Sequence, residues 1–206
     1  MYWRLNRIQY PIYNLGLGKR LGIWVQGCSL KCEGCISQSL WTTKNGKDIE
    51  IDLLVNQIAQ LQEHFDGITI TGGEPFEQYE ALVVFSAYIK QKTTLDIYVF
   101  SGYTLEELQA KFPDRLFMKY MDYLMDGRYV KELHDNNNFR GSTNQGFYKF
   151  DDGRAAQLKS DSFSNNKWSV AVSKNKQIFM AGIPKRDELK MLTEDLNQAG
   201  IAIRFK

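Results

Sequence analysis

An α/β fold in the form of a partial (β/α) barrel is predicted on two observations. Short apolar or β-branched runs alternate with segments whose apolar residues recur at helical spacing, and the residues richest in chemistry follow the runs instead of lying inside them. Residues 21–26 form the first apolar run, and Ile51, Leu54, Val55, Ile58 and Leu61 then mark a helix that ends near His64. A β-branched strand over 67–71 stops at Gly72-Gly73-Glu74-Pro75, and Leu82, Val83, Phe85, Tyr88 and Ile89 give the next helix. Residues 95–100 read as a third strand. Thr104-Leu105-Glu106-Glu107 is a capping box that opens a helix ending near Pro113. Residues 119–125 make a fourth strand, ending at Asp126.

The remainder is less regular. Residues 130–167 are rich in Asn, Asp, Ser, Gly and Lys around Phe139, Phe147, Tyr148 and Phe150, which predicts a long surface connection with one short strand. A lid or docking loop is the alternative reading. Residues 168–172 and 177–180 read as a hairpin about Lys174-Asn175-Lys176, followed by a helix over 186–198 stopped by Gly200 and a last strand over 201–205. One domain spanning 1–206 accounts for all of this, with a core to about residue 146 and a short C-terminal α+β extension over 147–206. In barrels of this kind ligands meet the C-terminal ends of the strands. Cys28, Gly72, Ser101 and Asp126 each follow a different predicted strand and so belong on one face.

Cys28, Cys32 and Cys35 are the chain's three cysteines, in the spacing C-x3-C-x2-C. Three thiolates on one short loop suit three corners of a cubane 4Fe-4S cluster and leave the fourth iron open to a small molecule. A structural zinc site closes four ligands, and the two histidines, His64 and His134, lie far off in sequence, His134 in a polar loop. Three cysteines cannot all pair as disulfides, and a redox C-x2-C pair of Cys32 and Cys35 leaves Cys28 without a role. Downstream, the paired glycines Gly72 and Gly73 permit close backbone approach to a ligand, and Glu74 offers an acceptor for an ammonium group. Alone, such a sequence reads as a turn after a strand.

Together the cysteine loop and Gly72-Gly73-Glu74-Pro75 resemble the radical S-adenosylmethionine (SAM) superfamily. The stretch from Asn14 through Gly22 to Gly27-Cys28, then Gly34-Cys35, Trp41, Ser101-Gly102-Tyr103, Asp126-Gly127-Arg128 and Gly141-Ser142-Thr143-Asn144-Gln145, is similar to the anaerobic ribonucleoside-triphosphate reductase activating protein family. The resemblance implies a partial barrel of the radical SAM type, with Cys28, Cys32 and Cys35 holding a 4Fe-4S cluster whose open iron is chelated by SAM. It implies that Thr71 to Pro75 receive the SAM amino group and that backbone at Gly34 and Ile36 meets the adenine. Ser101 would reach the ribose or carboxylate, and Asp126 would touch SAM or order its loop. Ser142 and Asn144 enter as cofactor contacts on the family landmark alone, being ordinary loop formers otherwise.

Reductive cleavage of SAM to a 5'-deoxyadenosyl radical, which abstracts hydrogen from a glycine of a partner glycyl-radical enzyme, is the activity implied. An electron donor such as flavodoxin or ferredoxin would serve it. The chain carries no Arg-Val-x-Gly-Tyr signature of its own. Members that serve the reductase end soon after the Gly-Ser-x-Asn-Gln landmark, whereas this chain runs on to Lys206, which keeps a maturase of a peptide, protein or small metabolite as the alternative. A non-catalytic iron-sulfur scaffold or electron carrier explains the cysteines but leaves the glycine motif idle. A bulky residue at Gly73 is expected to spare the cluster and weaken SAM binding.

Composition agrees with such an enzyme and excludes little else. The 206 residues are 43% hydrophobic, enough for a full core, and the formal charge of +2 gives no argument for nucleic acid or membrane. No apolar signal segment follows Met1 and no run approaches a membrane span, so a cytoplasmic location is expected.

Overall fold

The computed structural model describes residues 1–135, 140–159, 168–172, 178–184 and 187–198. Its main sheet contains β1 (Tyr2–Ile12), β2 (Arg20–Val25), β3 (Lys47–Glu50), β4 (Gly67–Gly72), β5 (Asp96–Phe100), β6 (Tyr123–Asp126), β7 (Gly146–Asp151) and β8 (Arg154–Gln157). They lie in the order β3-β1-β2-β4-β5-β6-β7-β8. The middle four, β2, β4, β5 and β6, are parallel. Antiparallel pairs flank them, β1 and β3 at one edge and β7 and β8 at the other. The α/β class with a partial barrel is therefore correct, and its parallel centre is the part that alternating strand and helix patterns announce.

Helices α1 (Ile51–Gln60), α2 (Tyr79–Lys92), α3 (Leu105–Lys111) and α4 (Leu116–Tyr120) cover one face. Successive strand residues point to opposite faces. Ile23 and Val25 of β2, Ile68 and Ile70 of β4, Ile97 and Val99 of β5 and Leu124 of β6 thus pack with Leu54, Val55, Leu82, Phe85, Ile89 and Leu108 in one core. The other face carries Trp24, Tyr98, Phe100, Met125 and Phe147 in two smaller clusters.

Three expectations need correction. The strand expected over 119–125 begins at Tyr123, because Phe117, Met118 and Met121 are buried at helical spacing and draw Leu116–Tyr120 into α4. The connection expected over 130–167 contains two strands, β7 and β8, so the sheet runs past residue 146. Strands β1 and β3 were not expected at all. A register shift between Leu5 and Arg7 interrupts the alternation of β1, and β3 buries no residue fully, its main-chain pairing being supplemented by the Arg4–Asp48 ion pair and by half-buried Ile49.

The C-terminal hairpin pairs β9 (Trp168–Val172) with β10 (Ile178–Gly182), and α5 (Glu188–Gln198) follows. The expected turn at 174–176, the stop at Gly200 and the strand over 201–205 lie outside the described residues, as does Phe139. This hairpin packs on the β1–β2 side of the face opposite α1–α4. Arg7 donates from Nη2 to the Met180 carbonyl at 3.3 Å, with its guanidinium 4.3 Å from the Trp24 ring and 5.7 Å from that of Phe179. Asn14 Nδ2 donates to the Ala181 carbonyl at 2.5 Å, and buried Ala181 packs with Ile12, Leu15, Trp24 and Leu40. Leu158 packs on Tyr98, Met125 and Phe147.

Candidate metal centre

Parallel pairing brings the C-terminal ends of β2, β4, β5 and β6 to one rim. Gly27 and Cys28 follow β2, Gly72 to Pro75 end β4, Ser101 follows β5 and Asp126 ends β6. All four positions expected on one face meet there. Main-chain bonds from Gly27 N to Leu40 O (2.8 Å) and from Cys28 N to Trp41 O (3.1 Å) anchor the base of the cysteine loop. Lys31 takes φ +47° and Gly34 φ +75°, left-handed turns that fold three cysteines into a short span.

The three thiols are free and half-buried. The Cys35 sulfur accepts the Ser37 main-chain N–H at 3.4 Å. Burial, with the nearby charges of Glu74 and Glu77 adding to it, pushes the Cys28 thiol up to about 11, and burial together with the neighbouring Cys35 raises Cys32. A coordinated metal deprotonates a thiol outright, and N–H donors then stabilise the bound thiolate. The donor set therefore fits an iron-sulfur cluster. Among the described residues no three His, Cys, Asp or Glu side chains converge to hold a single ion. A cubane places each thiolate on a separate iron and needs no such convergence.

Gly72 and Gly73 explain how the loop is held. Gly72 has φ +107°, and a Cβ there would stand 2.8 Å from the backbone of Val25. A Cβ on Gly73 would overlap the Gly27 carbonyl. Gly73 N donates to Val25 O at 2.9 Å and Glu74 N to Gly27 O at 2.8 Å. The glycines thus admit the backbone that leads into Cys28. Thr71 and the glycines stay half-buried, while Pro75 is buried at the start of a 3-10 turn over Pro75–Gln78.

Glu74 is 1% exposed. Its Oε1 accepts from Phe76 N (3.0 Å) and Ser101 Oγ (2.9 Å), and its Oε2 accepts from Gly102 N (2.7 Å). The side chain therefore bridges the ends of β4 and β5, and Leu30 of the cysteine loop lies over Gly102. Asp126 does the same one strand further, accepting from Leu105 N (2.6 Å) and Gly146 N (2.8 Å). Ser142 is fully buried with its Oγ accepting from Val130 N at 3.1 Å, and exposed Asn144 donates to Arg128 O at 3.0 Å. Gly34 and Ile36 are exposed on the loop, Ile36 by 57%.

Residues 14–148 match the 4Fe-4S single cluster domain family. The chain belongs to that family. The match takes in the cysteine loop, the glycine strand end and the Gly141 to Gln145 turn, and the resemblance read from those motifs is correct. The anaerobic ribonucleoside-triphosphate reductase-activating protein of Haemophilus influenzae is 31% identical over 156 residues, which are 71% of this chain and 99% of that protein. Its counterpart in enterobacteria phage T4 is 31% identical over 142 residues, 67% of this chain and 88% of that one. Among solved structures, QueE from Escherichia coli has a TM-score of 0.43 and 18% identity, over 50% of this chain and 54% of that one.

In this 4Fe-4S domain several residues act on the loop that no local pattern marks. Glu77 Oε1 accepts from Ser29 N at 2.8 Å and from Ser29 Oγ at 2.5 Å, bracing the residue after Cys28. Gln26 Nε2 donates to the Ser39 and Thr42 carbonyls on the far side of the loop. Spacing cannot reveal such pairings, since each joins segments far apart in sequence.

Two outcomes follow from this geometry. Gly73→Val forces the Gly27 carbonyl aside, so iron incorporation is expected to fall together with SAM binding, in place of the sequence expectation that the cluster survives. Iron analysis of the reconstituted variant checks this, and a full complement of iron would restore the earlier reading. For Glu74, burial outweighs the three donors and pushes the carboxyl up to about 7. A carboxyl raised on folding binds more protons in the folded state, so its contribution to stability is present at low pH and is lost as pH rises through about 7. The change is at most about 3 kcal/mol across the window from about 4.5 to about 7. Urea titrations of cluster-free protein from pH 4.5 to 8 should show this decline in the native chain and not in Glu74→Gln.

Proposed function

We propose that the chain uses its 4Fe-4S cluster to cleave SAM reductively and that the hydrogen abstracted comes from a glycine of a large partner, an anaerobic ribonucleotide reductase. The observation that carries the reading is the meeting of Cys28, Cys32 and Cys35 with the glycine strand end on one rim. Identity of 31% over 99% of a reductase-activating protein supports the partner. When bound, the cluster and SAM supply a one-electron cleavage of the sulfonium and a carbon radical.

The chain's own residues bind and orient. Thr71 to Glu74 would receive the SAM amino group at the end of β4, where Glu74 is already fixed by Ser101 and Gly102. Gly34 and Ile36, exposed beside Cys35, would meet the adenine. Ser101 serves first as the link between Glu74 and Tyr103 N, to which it is 3.0 Å. Asp126 orders the strand end rather than reaching outward, since both its oxygens accept main-chain N–H groups. An electron donor such as flavodoxin or ferredoxin would supply the electron. Among the described residues no helix is long and apolar enough to cross a membrane.

One observation favours a second reading. The relative from Haemophilus influenzae is 99% covered by 71% of this chain, and the hairpin β9–β10 packs on β1 and β2 at the face opposite α1–α4. A different substrate, a peptide, another protein or a small metabolite, would suit a face shaped by that hairpin.

Anaerobic reconstitution with iron and sulfide, reduction with dithionite in the presence of SAM and chromatography for 5'-deoxyadenosine test the core of the proposal. The nucleoside should appear with the native chain and be absent with Cys28→Ala. A well-formed cluster that neither binds nor cleaves SAM would point to a scaffold or electron carrier. Co-incubation with the anaerobic reductase and EPR for a glycyl radical then separates the activase from the second reading.

A further inference from the structure

Backbone bonds hold the chain as it enters Cys28. Gly27 N donates to Leu40 O at 2.8 Å, Cys28 N to Trp41 O at 3.1 Å, and Gly27 O accepts from Glu74 N at 2.8 Å. Beyond Cys28 the hold changes in kind. Ser29 N and Ser29 Oγ both donate to Glu77 Oε1, at 2.8 Å and 2.5 Å. Two residues further on, Lys31 turns into the left-handed region on the way to Cys32. The direction in which the chain leaves Cys28 is therefore set by one side chain from a distant segment.

Glu77 belongs to the 3-10 turn Pro75–Gln78, and that turn is fixed on both sides of it. Ahead of it, Glu74 accepts from Phe76 N, Ser101 Oγ and Gly102 N. After it, Gln78 accepts from Arg4 N at 2.9 Å and donates to Arg4 O at 3.0 Å and Gln26 O at 3.2 Å, which ties the turn to β1 and to the residue that follows β2. Glu77 thus reaches Ser29 from a rigid base. Hydrogen bonds to a carboxylate are shorter and stronger than those between neutral groups, as the 2.5 Å contact to Ser29 Oγ shows. Ser29 and Glu77 are both exposed, so the grip acts on the loop and adds little to the core.

We propose that Glu77 is a positioning residue for Cys28: by gripping Ser29 through both its N–H and its hydroxyl, it fixes the exit of the loop from Cys28 and so keeps this thiolate on its iron. A ligand already set by its surroundings gives up less conformational freedom when it binds. Loss of such an outer partner costs about 10- to 100-fold in metal affinity. The acceptor oxygen carries the effect, not the negative charge. This role rests on the 4Fe-4S reading of the loop and is the same whatever the partner enzyme.

Full-length native chain, Glu77→Ala, Glu77→Gln and Glu80→Ala are reconstituted anaerobically with iron and sulfide. Glutamine keeps an oxygen for Ser29 and loses the charge, while Glu80→Ala removes a like charge from the exposed first turn of α2. Iron and sulfide per chain, the rate at which excess EDTA bleaches the cluster, and urea unfolding of the cluster-free chains are read. SAM and reductase are left out, so a failure of SAM cleavage or of radical transfer is a separate result. The expected result is bleaching about tenfold faster in Glu77→Ala and within about threefold of native in Glu77→Gln and Glu80→Ala, with the urea midpoint of cluster-free Glu77→Ala unchanged. Bleaching of Glu77→Ala at the native rate overturns the proposal. Equal acceleration in Glu77→Ala and Glu77→Gln assigns the effect to charge and overturns it as well. A native chain that takes up no iron refutes the cluster and the proposal with it. Should the urea midpoint of Glu77→Ala fall, Ser29→Ala, which deletes only the hydroxyl half of the grip, decides: faster bleaching at a native midpoint supports the proposal, and the native rate overturns it.

Discussion

Replacing Cys32 by alanine is expected to abolish the cluster, and with it any 5'-deoxyadenosine, while leaving the fold in place. The chain has three cysteines and no spare to take over a corner. Stability should change little. Cys32 is half-exposed and belongs to none of the buried clusters, and surface changes away from such features stay within about 0.5 kcal/mol. Iron analysis and the electronic spectrum check the first part, and urea unfolding of cluster-free protein the second. Native iron content in the variant would remove Cys32 from the ligand set.

Arg20→Met should cost the fold about 3–5 kcal/mol, the largest effect expected away from the cluster. Arg20 is fully buried at the start of β2, on the rim opposite the cysteines. It donates to Thr69 Oγ1 (2.7 Å), Leu17 O (2.9 Å) and Ile68 O (2.7 Å), and pairs with Asp96 at 2.5 Å. The Tyr98 ring lies 4.1 Å from its guanidinium carbon. Methionine keeps much of the volume and none of the donors, leaving the Leu17 and Ile68 carbonyls without the guanidinium and Thr69 Oγ1 with only its own bond to Leu15 O. Asp96 is partly exposed and recovers some solvation, which holds the cost within this range. A thermal melt lowered by about 10 °C is the corresponding observation. A melt within a degree or two of native would mean that the β1–β2 turn is not part of the cooperative fold.

Landmark residues turn out to divide between these two ends. Asn14, Gly16 and Arg20 belong to the rim opposite the cysteines or to the hairpin contact: a Cβ on Gly16 would stand 2.7 Å from Arg20, and Asn14 binds Ala181. Their contacts in this structure are packing contacts. Trp41, by contrast, offers its carbonyl to Cys28 N and closes the cysteine loop. A motif read from sequence mixes both kinds because chain order does not separate structural neighbours from ligand neighbours.

Strands β2, β4 and β5 were legible because each is a short apolar run buried in the sheet's centre, and helix α3 was legible from its capping box, in which Thr104 accepts from Glu107 N at 3.2 Å and Glu107 accepts from Thr104 N at 2.8 Å. Strands β3 and β8 were not, since their pairing uses main-chain groups that every sequence possesses and leaves no burial pattern. What the sequence determined alone was local: three thiols on one loop, a strand that ends in two glycines, and the order of strands that sends both to one rim. Tertiary structure decided what those groups face. Glu74, offered by the sequence as an acceptor for an ammonium group, is fixed by Ser101 and Gly102, and Gly73 is small because the carbonyl of Gly27 lies against it. A buried carboxylate or a close backbone contact needs a partner brought by folding, and such partners stand dozens of residues away with no periodicity to announce them.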